Sequence, residues 1–200
     1  MVEGTVLKGS MEKRDAILAS AKHEFLRYGY EQASLRDICS KADMTTGALY
    51  FYFKNKADLF DTLVRDSAIE MQDMIDSKLN SKFNGDGDNS SSKNDFVEFL
   101  YSHKDEIQLL AFHSKGTKYE GYLRRIEDQV TNTIQKFMEE KSGKDINREI
   151  AHLISRMQVS CYTTIASKDY TLEQAAELSK NMSAFNSAGI NGLLDSLKSE

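Results

Sequence analysis

Residues 29–60 read GYEQASLRDICSKADMTTGALYFYFKNKADLF, and this stretch decides the fold. Ser34 stands immediately before LRDICSKA and Thr45 immediately before TGALYFY, each hydroxyl placed to accept a backbone N–H from the first turn of a short helix. Asp37, three residues after Ser34, resembles the second half of a capping box and favours the positive helix end. Asp43 and Met44 make the connection, and aspartate tolerates a left-handed turn better than most residues. Ile38, Ala42, Met44 and Leu49 supply the apolar positions that lock two such helices at a steep angle, which is a helix-turn-helix. Their burial leaves Thr45, Thr46, Gly47, Ala48, Tyr50 and Tyr52 on the opposite side, free to enter a groove. Small residues permit close approach there, hydroxyls and phenols suit phosphate oxygens, and an alanine or threonine methyl suits a thymine methyl. Of the aromatic run, Phe51 and Phe53 read as core, and Tyr50 and Tyr52 as surface contacts.

Working outward, Ile17, Leu18, Ala21, Phe25 and Tyr28 recur at helical spacing from Met11 to Tyr28, with Ser10 placed to cap the start and Gly29 to end it. Asn55 with Asp58 signals a fourth, long helix that carries Leu59, Phe60, Leu63, Ile69, Met71, Met74, Ile75 and Leu79 toward residue 81. Residues 82–94, KFNGDGDNSSSKN, concentrate Gly, Asn, Asp and Ser and read as a mobile surface loop. The run from Asp86 lacks the sixth-place glycine and twelfth-place carboxylate of a calcium loop. Helical periodicity resumes in 96–103, 105–114 and a longer stretch from Tyr119 to Phe137. The last two segments are 146–166 and a terminal helix opened by a Thr171/Gln174 capping box. Both are amphipathic and alternate small with large residues, which lets helices approach closely, and a C-terminal helical pair is a common way to make a two-fold interface, so this pair is expected to form a homodimer.

The expected fold class is all-α: an N-terminal three-helix head on a larger helical body, divided as 1–56 and 57–200. Proline and tryptophan are absent, which favours long uninterrupted helices. The net charge is −5, yet residues 1–60 carry nine Lys/Arg and eight Asp/Glu, so the acid sits in the body; no acidic residue occurs from 44 to 57, where Lys54 and Lys56 lie. Cys39 and Cys161 exclude a disulfide framework, and no segment has the apolar length to span a bilayer or the pattern of an export signal. A cytoplasmic, membrane-free protein is expected. Metal ligation by His103, His113 and Cys161 fits no ligand spacing, so neither metal nor cofactor is expected. No HExxH, GxSxG or phosphate-binding glycine loop is present, and an enzyme is the remote alternative.

The quoted stretch, extended to about residues 13–64 by RDAILASAKHEFLRYGY before it, closely resembles the DNA-binding signature of the tetracycline-repressor (TetR) family of bacterial regulators. The resemblance implies that Ser34, Arg36, Thr45, Thr46, Gly47, Tyr50, Tyr52 and Lys56 face an operator, with Lys54 added on its charge. Three residues depart from the family pattern: Cys39 for the usual alanine, Asp43 for the turn glycine, and Tyr52 for a frequent histidine. The family further implies a repressor that binds a palindromic operator as a homodimer and is released by an inducer held in its body. Candidate walls for an apolar or aromatic ligand are Met71, Met74, Phe99, Leu109, Phe112, His113, Tyr119, Tyr122, Phe137, Met157, Cys161 and Tyr162. The same residues at helical spacing also suit plain packing. A body that binds a protein partner, or only dimerises, is therefore the alternative.

Overall fold

In a computed structural model of the chain, residues 2–83 and 90–198 are described, with side chains at 10–77 and 95–198. Among the described residues the elements are all helical: α1 (Val2–Gln32), α2 (Leu35–Lys41), α3 (Thr46–Tyr52), α4 (Lys56–Phe83), α5 (Ser90–Ser102), α6 (Lys104–Phe112), α7 (Tyr122–Ser142), α8 (Arg148–Ser167) and α9 (Leu172–Lys198). The chain divides by its internal contacts into two compact units, Met1–Ile69 with Asp105–Gly121 and Glu70–Lys104 with Tyr122–Glu200.

The first unit is built on Ile17, Ala21 and Phe25 of α1, Ile38 of α2, Leu49 of α3, and Leu59, Phe60 and Val64 of α4, all buried. Burial of such side chains is worth about 1.5 to 3 kcal/mol each, so this small core suffices to hold the short α2 and α3 in one geometry against α1 and α4. Helix α1 begins well before the expected cap: Ser10 lies inside it, and the Ser10 hydroxyl instead donates to the Tyr52 hydroxyl at 3.4 Å. Gly29 does break the helix, at φ 74 and ψ 164, a left-handed value natural only to glycine. The break frees the Tyr30 N–H, which donates to the His113 carbonyl at 3.0 Å, before Ala33 N–H returns to the Gly29 carbonyl. It also turns Tyr30 onto Phe25 and Phe60, with ring centroids 5.9 and 5.5 Å away. Tyr28, expected on the apolar face, is therefore exposed, its ring 5.2 Å below the Arg27 guanidinium.

Helix α4 starts as the sequence predicts. Asp58 N–H donates to Asn55 Oδ1 at 2.8 Å and Lys54 N–H donates to Asp58 Oδ2 at 2.9 Å, a reciprocal cap. Met71 and Ile75 are buried, but Ile69 is exposed. Both ends of the stretch 82–94, expected as a surface loop, are helical: α4 reaches Phe83 and α5 begins at Ser90. Serine and asparagine are as compatible with the first turn of a helix as with a loop, and composition does not distinguish them. Residues 84–89 of that stretch, the acidic run from Asp86 included, lie outside the described residues.

In the second unit α7 packs along α8, and α9 lies against α5, α7 and α8. Helix α7 buries Tyr122, Ile126, Val130, Ile134 and Met138, one apolar row at spacing four. Where it meets α8 the hydroxyls of Thr131 and Ser155 hydrogen-bond at 2.7 Å, both residues being buried. Small side chains let these two helices approach closely. Asn147 caps α8 by accepting from Glu149 N–H at 2.9 Å. The predicted box opens α9: Gln174 N–H donates to Thr171 Oγ1 at 3.2 Å, and Thr171 N–H donates to Gln174 Oε1 at 2.9 Å. Only Ala175, Ser179 and Leu194 of this 27-residue helix are buried. No helix among the described residues is long and apolar enough to cross a membrane.

Candidate nucleic-acid interface

The head is assembled by hydrogen bonds that its sequence specifies. Ser34 Oγ accepts from Asp37 N–H at 3.3 Å and Thr45 Oγ1 accepts from Ala48 N–H at 3.2 Å, so α2 and α3 are each capped as their sequences predict. Between them the chain closes α2 with a Schellman motif. Asp43 takes φ 54, its N–H donates to the Ser40 carbonyl, and Met44 N–H donates to the Cys39 carbonyl at 2.9 Å. A glycine is usual at such a position, and aspartate is one of the few residues that tolerates it. Behind this turn, Ser20 Oγ donates to the Ile38 carbonyl at 2.8 Å and the Lys41 ammonium donates to the buried Glu24 carboxylate at 2.6 Å. Both bonds hold α2 on α1, with Ile38 and Leu49 fully buried as the lock; Ala42 and Met44 are half-buried.

The opposite side is open. Arg36, Thr45, Thr46, Gly47, Tyr50 and Lys54 are exposed, and Ser34 is half-buried at its capping position. Arg36, Cys39, Ser40, Asp43, Met44, Thr45 and Thr46 line an open groove of about 540 Å³ at the mouth of the turn. Cys39 lies at its floor; burial pushes its thiol pKa up, with a hydrogen bond to Thr46 acting the other way. A raised pKa keeps it protonated, a small apolar filler and not a nucleophile.

Two predicted residues are less free than expected. Tyr52 is half-buried, its hydroxyl engaged by Ser10. The Lys56 ammonium donates to the Glu31 carbonyl at 3.2 Å and sits 4.8 Å from the Tyr30 ring centroid. Burial lowers its pKa and the charge of Glu31 opposes that shift. Phe51 contradicts the core expectation outright: it is 81% exposed, whereas Phe53 is buried with the Arg14 guanidinium 5.5 Å from its ring centroid. The missed signal is angular. Phe51 follows Gly47 by four residues, hence shares its face, while Phe53 lies four residues after the buried Leu49.

The candidate ligand walls are divided between the two units. Leu109, Phe112, His113 and Tyr119 belong to the first unit, and Met71, Met74, Phe99, Tyr122, Phe137, Met157, Cys161 and Tyr162 to the second. Phe112 and Met157 are exposed, while Met71, Phe99, Leu109, Tyr119 and Tyr122 are buried. Phe99 stacks on His103 at 4.5 Å, and Phe96 meets Tyr162 edge-on at 5.1 Å. Burial lowers the pKa of His113, raises that of Cys161, and pushes the Tyr122 phenol up to about 12.

Residues 17–63 match the family described as bacterial regulatory proteins, tetR family. The HTH-type transcriptional repressor BepR of Brucella suis biovar 1 (strain 1330) is 42% identical over 53 residues, which are 26% of this chain and 25% of that protein. The chain thus spans about a quarter of the length of that relative. A transcriptional regulator of Aquifex aeolicus VF5 shares the fold at TM-score 0.55 and 20% identity, over 86% of this chain and 99% of that one. A TetR-like transcriptional regulator of Rhodococcus sp. RHA1 does so at TM-score 0.58 and 17% identity, over 88% and 96%. At these identities the structural likeness establishes the fold alone, and it extends the likeness beyond the head into the helical body. The match to the tetR family thus covers the head at residues 17–63, and the all-helical fold that carries this head is shared with those two regulators.

Proposed function

We propose that this protein is a DNA-binding transcriptional regulator, most simply a repressor, that grips a palindromic operator as a homodimer. The observation that carries the reading is the head: a capped α2, a Schellman turn at Asp43 and a capped α3, locked from behind, with Arg36, Thr45, Thr46, Gly47 and Tyr50 left open. That arrangement presents a helix of groove-entering size with hydroxyls and a phenol on its outer side and the Arg36 guanidinium on the helix before it, the groups that contact phosphates and base edges. The activity we infer is binding. Cytoplasmic residence follows from the same reading, since the operator is there.

Dimerisation through α8 and α9 is supported by the apolar side chains they leave exposed. Ile150, Leu153 and Met157 follow one another at spacings of three and four on α8, and Leu178 and Phe185 are seven apart on α9. Rows of this kind suit helix-to-helix contact with a second copy of the same surface. Their exposure in a single chain is what a two-fold partner would relieve.

Release by an apolar or aromatic inducer is the regulation we propose for the body. Such a ligand acts only through unequal affinity for DNA-competent and DNA-incompetent conformations, a coupling of about 1 to 3 kcal/mol. The packing of Phe99 on His103 and of Phe96 on Tyr162 favours the second reading, in which the body serves dimerisation or a protein partner and the same aromatics are core. The regulator reading is tested by challenging purified protein with fragmented genomic DNA and sequencing what it retains. A recurrent inverted repeat is expected; retention without sequence preference would contradict it. Recovered fragments then serve to screen apolar compounds for release.

A further inference from the structure

Helix α3 advances about 100° per residue, so with Thr46 at the origin Tyr50 lies near 40°, Gly47 near 100° and Phe51 near 140°, while Leu49 lies near 300°. Thr46, Gly47, Tyr50 and Phe51 are all exposed, and Leu49 is fully buried. Phe51 therefore belongs to the arc that faces outward with the residues assigned to the operator, and at 81% it is the most exposed large apolar residue of the head. Its ring meets Tyr52 edge-on at 5.2 Å and 84°. Gly47, one turn earlier on the same arc, leaves its flank open: a Cβ there would meet nothing nearer than Thr45 Oγ1 at 3.9 Å. A phenyl ring donates and accepts no ordinary hydrogen bond, so it cannot grip a phosphate or read a polar base edge. The apolar feature of the major groove is the thymine C5-methyl group, which phenylalanine is suited to touch.

We infer that Phe51 is a specificity-determining residue that reads the C5-methyl of a thymine in each half-site. The inference rests on the DNA-binding reading and deepens it, because it says which chemical group of the operator the exposed ring recognises. Tyr50 beside it supplies a hydroxyl for the backbone, and Phe51 supplies the base preference that a phosphate contact cannot.

The test uses the full-length protein, Phe51→Ala and Phe51→Leu, each titrated against a recovered site and against copies in which single thymines are replaced by deoxyuridine, which lacks only the methyl. Loss of the buried phenyl contact in Phe51→Ala is expected to weaken binding by about tenfold or more. Removing the one methyl that the ring touches should cost the wild type about fourfold and leave Phe51→Ala indifferent, since one buried carbon is at stake. Phe51→Leu should fall between them and keep part of the deoxyuridine penalty. Equal affinity of wild type and Phe51→Ala overturns the inference, and so does weakened binding with no thymine singled out, which would place the ring on sugar. These outcomes leave the DNA-binding reading intact. If the wild type prefers no site to a scrambled one, both fall together. Should Phe51→Ala fold poorly, the deoxyuridine series on the wild type and Phe51→Leu decides alone.

Discussion

The Lys41 ammonium reaches the carboxylate of Glu24, 2% exposed in the core of the head, at 2.6 Å, and so ties the end of α2 to α1 directly behind the face proposed to meet DNA. A carboxylate this deep is tolerated because it is paired. Removing the partner leaves a charge without water or counter-ion, whereas removing both leaves an apolar contact.

Lys41→Met should therefore destabilise the protein by about 2 to 3 kcal/mol, at the low end for a broken buried pair because the Lys41 side chain itself is partly in water. The double variant Lys41→Met/Glu24→Leu should recover most of that loss. Urea denaturation of the three proteins checks it, and a single variant as stable as the wild type would mean that the pair contributes nothing to the head.

Asp61 gathers the Tyr119 hydroxyl at 2.6 Å, the Lys118 ammonium at 2.6 Å and the Arg65 guanidinium. Burial alone would raise its pKa, but hydrogen bonds from Arg65, Lys118 and Tyr119 outweigh that and hold it at about 2. A depressed carboxylate pKa stabilises the fold above its unfolded value near ~4, and this contribution is lost as pH falls toward and through 2. Asp61→Asn should cost about 1 to 3 kcal/mol at neutral pH, the worth of hydrogen bonds to a charged group. The gap between wild type and variant should close as pH drops from about 4 to 2. A gap independent of pH would show that packing, not charge, is what the substitution removes.

On the face proposed to meet DNA, Tyr50→Ala should weaken operator binding by about tenfold without changing thermal stability, since Tyr50 is 53% exposed. Lys54→Gln should lower the slope of log affinity against log salt by about one, the signature of one lost phosphate contact. Lys56→Gln should behave differently. Its ammonium already serves the Glu31 carbonyl and the Tyr30 ring, so a loss of stability should accompany any loss of binding. Salt titrations run beside melting curves separate the two lysines.

How far the sequence carried this reading depends on what kind of signal each element used. Caps and turns were legible because they are local: Ser34, Thr45, Asn55 and the Thr171/Gln174 box all make the predicted bonds. Asp43 takes the left-handed turn that its residue type permits. What failed needed tertiary context. An unbroken helix would set Tyr28 about 60° and Tyr30 about 140° from Phe25, and only the break at Gly29 decides that Tyr30 packs on Phe25 and Phe60. Ser10 has the chemistry of a cap, but nothing in it reveals that α1 starts at Val2. Phe51 was assigned by residue type, and the helical angle would have placed it outside. For the body, a methionine or aromatic in a core and one on a pocket wall obey the same spacing, so sequence named candidates without grouping them.

Dimerisation has its own check. Phe185, 60% exposed on α9, is proposed to meet the partner copy. Phe185→Glu should shift the protein toward monomer in sedimentation equilibrium at micromolar concentration, because a charge would be buried without a partner at a cost of several kcal/mol. Helix content should stay unchanged. A variant that remains dimeric would move the interface off this face.

The most direct test of the central claim is titration of a recovered genomic site by the wild-type protein at two salt concentrations, with stoichiometry measured on the same complex. A palindromic site is expected, with two protomers or a multiple of two bound to it, nanomolar affinity, and loss of that affinity as salt rises. Salt-sensitive binding of equal strength to the site and to a scrambled duplex would contradict it, and would return the search for function to the helical body.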